Sequence, residues 1–224
     1  MKIALEQTAY LFRGNTPFII TICHDGFLTK LNGKELPFAK NKKENDRDTR
    51  KMAMLIRNFS SDCIPNVICQ QVERSRFTNE IRIYFYMKVL ELAQYCLRTW
   101  GICYLIDLHA FGSQMGGSYD LIFGTNHRGT VNNDFDNVFS KLLKKGTFFQ
   151  TRNLQIYIPQ EIKMPSERFG ATKDSTLVKW LSQREPGVNA IQVEIYKDWL
   201  KEDPKMIALA TEVSFAIALL LKPN

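Results

Sequence analysis

Histidine is scarce in this chain, with three residues in 224, and cysteine never occurs in paired spacing. The five cysteines, Cys23, Cys63, Cys69, Cys96 and Cys103, include no C-x-x-C pair. An odd number without that spacing argues against both a disulfide framework and a cysteine-rich zinc knot. Cys23, Cys69 and Cys103 lie in or at the end of apolar runs, the setting of small buried hydrophobes in a reducing compartment. Long apolar stretches are missing too. The run over 215–221 is far short of a membrane span, and residues 1–7 lack the apolar core of a signal peptide. The expectation is a soluble, cytoplasmic protein with no membrane partner. No internal repeat and no dividing linker interrupt the chain. Residues 1–224 therefore read as one domain, in which 45% hydrophobic residues supply one sizeable core.

Acidic residues are outnumbered, and the formal net charge is +7. Much of the excess falls between Lys30 and Lys51, at Lys34, Lys40, Lys42, Lys43, Arg47, Arg50 and Lys51. Such a cluster can bind nucleic acid or another polyanion, or it can be a solvated loop flanking a site for anionic substrates. Phe38 is the only aromatic interleaved with it and no nucleic-acid motif accompanies it, so the second reading is preferred. Residues 30–45 are polar and contain Gly and Pro, and they read as a long loop of the kind that carries function.

Apolar strand-like runs alternate with helical patterns, which predicts an α/β fold with helices on both faces of a sheet. Strands are expected over 18–23, 66–71, 103–108, 119–123, 154–158 and 190–195, and helices over 48–60, 79–99, 134–144, 175–183 and 204–221. The helix from Asn79 has the clearest period, and Gly101 ends it. Pro204 suits the first turn of the last helix.

Two of the three histidines are placed alike. Tyr104-Leu105-Ile106-Asp107-Leu108-His109 reads as a buried central strand, with Asp107 and His109 on one face and His109 at its end. His24 likewise follows the apolar run 17–23. Ligands of open α/β sheets bind at the carboxyl ends of the strands, so both imidazoles stand where a metal or substrate belongs. The loop after that central strand, 110–117, is small and glycine-rich. A hydrolytic zinc site needs three protein ligands and an open position. For the third ligand Asp25, Asp46 and Asp48 are all available, and at the entry to a helix one of the latter two can instead be an N-cap. Glu194 lies in an apolar run, 189–195, where burial would raise its pKa toward that of a working base. The alternation of Ile191, Val193 and Ile195 with Gln192 and Glu194 also fits a half-exposed strand. Arg74 and Arg76 suit bidentate binding of substrate carboxylates, or equally pairing with surface acids such as Glu73 or Glu80. His127, in a glycine-flanked loop, reads as a residue near the site entrance and not as a ligand.

Taken together, these segments resemble the N-formylglutamate amidohydrolase family. The resemblance rests on Ile22-Cys23-His24-Asp25-Gly26, on Ile106-Asp107-Leu108-His109, on Asp120-Leu121-Ile122-Phe123-Gly124-Thr125 and on Gln192-Val193-Glu194-Ile195. They occur in the family's order, over roughly Pro17 to Leu200. Asp46-Arg47-Asp48-Thr49 looks like the family's Asp-x-x-Thr element, which prefers Asp46 over Asp48 as third ligand. The family is similar to zinc carboxypeptidases, which implies a three-layer sandwich with a mixed, mostly parallel sheet between helices. It also implies Zn²⁺ held by His24, Asp46 and His109, Glu194 as general base, Asp107 orienting His109, and Arg74 or Arg76 anchoring an acidic N-acyl (N-formyl) amino acid. Two departures stand out. Phe27 occupies the place of the carboxypeptidase His-x-x-Glu acid, and 74–79 replaces the family's Asp-x-Asn-Arg element. The expectation is thus an amidohydrolase with an altered substrate. The rival readings are a carboxypeptidase-like metallopeptidase and a non-catalytic module that binds a polyanion through its basic face.

Overall fold

The computed structural model describes residues 5–38, 45–112, 119–158, 171 and 173–222. Lys40, Lys42, Lys43 and most of the glycine-rich loop after His109 lie outside the described residues. Strands are β1 (Ala9–Phe12), β2 (Phe18–Ile22), β3 (Lys30–Leu31), β4 (Lys34–Glu35), β5 (Asn66–Gln70), β6 (Cys103–Phe111), β7 (Leu121–Gly124), β8 (Ile156–Tyr157) and β9 (Val188–Tyr196). Helices are α1 (Thr49–Phe59), α2 (Asn79–Trp100), α3 (Phe135–Lys144), α4 (Thr147–Arg152), α5 (Leu177–Ser182), α6 (Asp198–Lys201) and α7 (Asp203–Leu220).

Among the described residues seven strands form one mixed sheet in the order β1-β5-β2-β6-β9-β7-β8. The central four, β5, β2, β6 and β9, are parallel. They are buried on both faces, which is why they read as continuous apolar runs. β1 joins the β5 edge antiparallel, and β7 runs antiparallel to β9 with β8 parallel beyond it. Side chains alternate across the sheet. Ile20, Ile22, Ile106, Leu108, Ile191 and Val193 pack against α1, α3 and α7. Ile19, Cys103, Leu105, Val188 and Ala190 pack against α2 and α5 on the other face. The result is the three-layer α/β sandwich anticipated from the sequence.

The longest helix, α2, buries Ile81, Phe85, Tyr86, Val89, Leu92, Ala93 and Cys96 at helical spacing. The Thr78 side chain accepts from the Ile81 N–H at its start, and Gly101, at φ 72°, closes its end. All six expected strands and five expected helices occur, with shifted ends. The expected long loop 30–45 instead contains the β3–β4 hairpin. Its Asn32-Gly33 turn has both φ angles positive (50° and 74°), a turn whose twist matches that of paired strands. Two-residue strands and the single turn α6 are too short for periodicity to reveal. No helix among the described residues is long and apolar enough to cross a membrane.

Candidate metal centre

Part-way along three neighbouring strands, the face covered by α2 and α5 changes character. Ile19 gives way to Thr21 and Cys23, Leu105 to Asp107 and His109, and Ala190 to Gln192 and Glu194. Register sets Thr21 beside Asp107, Asp107 beside Gln192, and His109 beside Glu194. Parallel strands in this register bring polar side chains from distant parts of the chain into one buried patch at the carboxyl end of the sheet.

The patch is organised around two carboxylates. Asp107 Oδ1 accepts from Thr21 Oγ1 (2.7 Å) and Cys23 Sγ (3.1 Å), and Oδ2 lies 2.9 Å from His109 Nε2. Burial opposes its charge, but the His109 charge and these hydrogen bonds hold its pKa below the usual carboxylate value. The other ring nitrogen, His109 Nδ1, is 2.9 Å from Asp46 Oδ2. His24 Nδ1 is 3.4 Å from the same oxygen and 3.3 Å from His109 Nδ1. His24, Asp46 and His109 thus present one donor atom each at the corners of a small triangle. Around a tetrahedral zinc with bonds of about 2.0–2.1 Å, donors stand roughly 3.3–3.4 Å apart. The triangle's edges of 2.9, 3.3 and 3.4 Å meet that spacing with only slight opening, so these residues fit the ion.

The two buried acids, Asp46 and Asp107, face the positive charges of Arg74 and His109. Burial lowers the His24 pKa to about 4, leaving a neutral, ligand-competent ring. Burial would raise Asp46, but the His109 and His24 hydrogen bonds and charges outweigh it, so its carboxylate is ionised. His109 moves the opposite way, because Asp107 and Asp46 overcome its desolvation and push its pKa well up. Without a metal, the His109 proton supplies the positive charge between the two buried acids. Glu194, buried next to His109, has its pKa lifted to about 7 by desolvation, with the His109 charge opposing and Asp46 assisting. Gln192 Nε2 donates to its Oε1 at 2.8 Å. The half-exposed reading of Glu194 is set aside, because β9 lies between β6 and β7.

Local structure explains how Asp46 arrives. Its N–H donates to the His24 carbonyl at 2.9 Å. Asn45 bridges to the Gly26 carbonyl (2.8 Å) and accepts from the Arg74 N–H (2.9 Å). Gly26 itself lies tight against the chain leaving β5, where a Cβ would come 2.2 Å from the Val72 carbonyl oxygen. The Arg74 guanidinium pairs with Asp46 Oδ1, leaving Oδ2 to the imidazoles.

Several expectations are corrected. Asp48 sits at φ 67° and its side chain caps nothing; α1 is capped by Asp25, whose Oδ2 accepts from the Arg50 N–H at 2.9 Å. Arg74 pairs with Asp46, a partner the sequence did not suggest, whereas Arg76 pairs with Glu35 (3.0 Å) and with Glu73 (3.7 Å), the latter as the surface-acid reading expected. His127 is far from the site entrance. β7 runs antiparallel to β9, and the loop after it contacts Ala190 and Asn189 near the amino end of β9, opposite the patch. Of the basic cluster, Arg50 lies over the Phe27 ring (5.1 Å) and Lys51 pairs with Asp203 (2.6 Å). Sequence reasoning missed the donation to Asp107 from Thr21 and Cys23, and the Arg74 pairing. The single sequence signal for the former was their shared strand face.

Neither a family model nor a curated protein matches the sequence. Among solved structures the chain is similar to an N-formylglutamate amidohydrolase from Ralstonia eutropha JMP134. The TM-score is 0.63 at 8% identity, covering 95% of this chain and 96% of that one. It is also similar to a gene product of Agrobacterium tumefaciens, with a TM-score of 0.59 at 10% identity, covering 96% and 94%. At such identities the likeness is one of fold.

Proposed function

We propose that this chain is a metal-dependent amidohydrolase, a single catalytic domain cleaving a carbon–nitrogen bond other than a peptide bond. Its substrate would be a small N-acyl (N-formyl) amino acid or a related acidic amide. One observation carries the reading: two imidazoles and a carboxylate converge beside a buried glutamate whose pKa is near neutrality. The fold shared with an N-formylglutamate amidohydrolase supports it.

His24, Asp46 and His109 would hold Zn²⁺. When bound, that ion supplies Lewis acidity, lowering the pKa of water and polarising the amide carbonyl. Glu194 takes the proton of the attacking water as the new C–O bond forms. It returns that proton to the departing nitrogen as the C–N bond breaks, which yields a carboxylic acid and an amine; the acid's own proton then passes to the amine, leaving a carboxylate and an ammonium. A carboxyl with a pKa near 7 can both accept and return a proton at neutral pH. Asp107 fixes the His109 ring through Nε2, and Arg74 fixes Asp46 through Oδ1. Of the two arginines expected to anchor a substrate carboxylate, Arg74 carries its charge at the cluster, whereas Arg76 is turned to Glu35 and Glu73.

The test is elemental analysis of the purified chain together with amine release from N-formylglutamate and other N-formyl amino acids. About one zinc per chain and zinc-dependent amine release are expected. A zinc-loaded chain that hydrolyses none of these amides overturns the proposal.

A further inference from the structure

The two sides of Glu194 differ in chemistry. Across the sheet it pairs with His109 on β6 and with Ile122 on β7, and Ile122 pairs in turn with Tyr157 on β8. Residues directly opposite on neighbouring strands share a face, so His109, Glu194, Ile122 and Tyr157 form one row. Two residues further along the same face, Phe111 pairs with Tyr196, their rings 5.8 Å apart. Tyr119, just ahead of β7, stacks on Tyr157 with centroids 4.6 Å apart and planes 14° from parallel. Phe111 and Ile122, with the partly buried Tyr119, Tyr157 and Tyr196, pack as a cluster separate from the two main cores. On the His24 and Asp46 side the patch is charged; on the β7–β8 side it is aromatic.

We propose, resting on the amidohydrolase reading above, that this aromatic wall receives one arm of the substrate amide. The preferred substrates would then carry an aromatic ring on the acyl or the amino side. A scissile carbonyl placed between the donor triangle and Glu194 has neighbours in both directions along the row. One direction leads to His24 and Arg74, the other to Ile122 and Tyr157. A flat ring laid against the partly buried Tyr119, Tyr157 and Tyr196, which Ile122 and Phe111 back from beneath, loses apolar surface to the wall and meets ring faces and edges in favourable geometry. The acidic side chain of a formylglutamate would lose hydration against these rings without matching apolar contact.

The experiment compares kcat/KM of the zinc-loaded enzyme for N-formylphenylalanine, N-benzoylalanine, N-formylglutamate and N-formylalanine. At least one aromatic compound should exceed N-formylalanine and N-formylglutamate by about tenfold or more, the lower range for discrimination by an apolar pocket. The aromatic-to-alanine ratio should collapse toward one in Tyr157→Ala. A variant damaged only in its fold would instead lower both rates together. Tyr119→Ala serves as a second variant if Tyr157→Ala does not fold. Equal rates for all four substrates in the wild-type enzyme, or a ratio unmoved by both variants, overturn the proposal. Calorimetric binding of N-acetylphenylalanine against N-acetylglutamate separates the two readings. Selective aromatic binding without hydrolysis removes the amidohydrolase and keeps the wall, whereas hydrolysis without aromatic preference does the reverse.

Discussion

Replacing Glu194 with Gln should make the protein more stable at alkaline pH while removing its activity. Burial lifts this carboxyl from its ordinary value of 4.5 to about 7. The folded state therefore keeps a proton that the unfolded chain releases between those values. Where the folded state binds more protons, stability falls as pH rises. The loss should begin near pH 4.5, run through about pH 7 and then level off. At about 1.4 kcal/mol per pH unit, the wild-type chain loses about 3 kcal/mol over that window through this one group. Gln keeps the Oε1 that accepts from Gln192 but cannot ionise. The stability difference between Glu194→Gln and wild type should thus be small at pH 4.5 and reach about 3 kcal/mol in favour of the variant at pH 8. The measurement is urea unfolding of both metal-free proteins across that range. A difference that does not change with pH refutes the assignment of a raised pKa. In the zinc-loaded enzyme the same substitution should lower turnover by at least about 10²-fold, the scale of general-base catalysis.

Asp46→Asn should purify folded but with little zinc, as read by elemental analysis, and full occupancy would remove Asp46 from the ligand set. Asp107→Asn keeps the shape but alters the partner of His109 Nε2; zinc affinity measured by chelator competition should fall about 10- to 100-fold, and an unchanged affinity would deny Asp107 its orienting role. Asp25→Ala should cost about 1 kcal/mol through loss of the α1 cap, while Asp48→Asn, at a left-handed position that Asn tolerates, should stay within about 0.5 kcal/mol. Thermal unfolding distinguishes the last two, and the opposite ranking would return the cap to Asp48.

Much of the fold was legible because its central strands are buried on both faces and its helices carry one apolar stripe. β2, β5, β6 and β9 showed as apolar runs, and α2 as a periodic pattern from Asn79 closed by Gly101. What escaped was short: β1, the β3–β4 hairpin, α4 and α6 each span too few residues to establish a period. At the site, the faces of His109 and Glu194 could be read locally from strand alternation, whereas His24 could be read only as lying just past the end of an apolar strand, since alternation by itself would put it on the face opposite Cys23.

The sequence by itself determined which side chains leave the central strands together, because a period of two is a property of the backbone. Tertiary structure decided the rest. Asp46 was separated from Asp48 only when its N–H met the His24 carbonyl and Asp25 took the cap. His127 was moved to the far end of the sheet because β7 runs against β9, a direction that no local pattern encodes. Arg74 became the partner of Asp46 through the Asn45 bridge, 28 residues apart in the chain. The pKa values of Glu194 and His109 follow from the same cause. They depend on how deeply each group is buried and on which charges stand beside it, and those neighbours come from strands far apart in sequence.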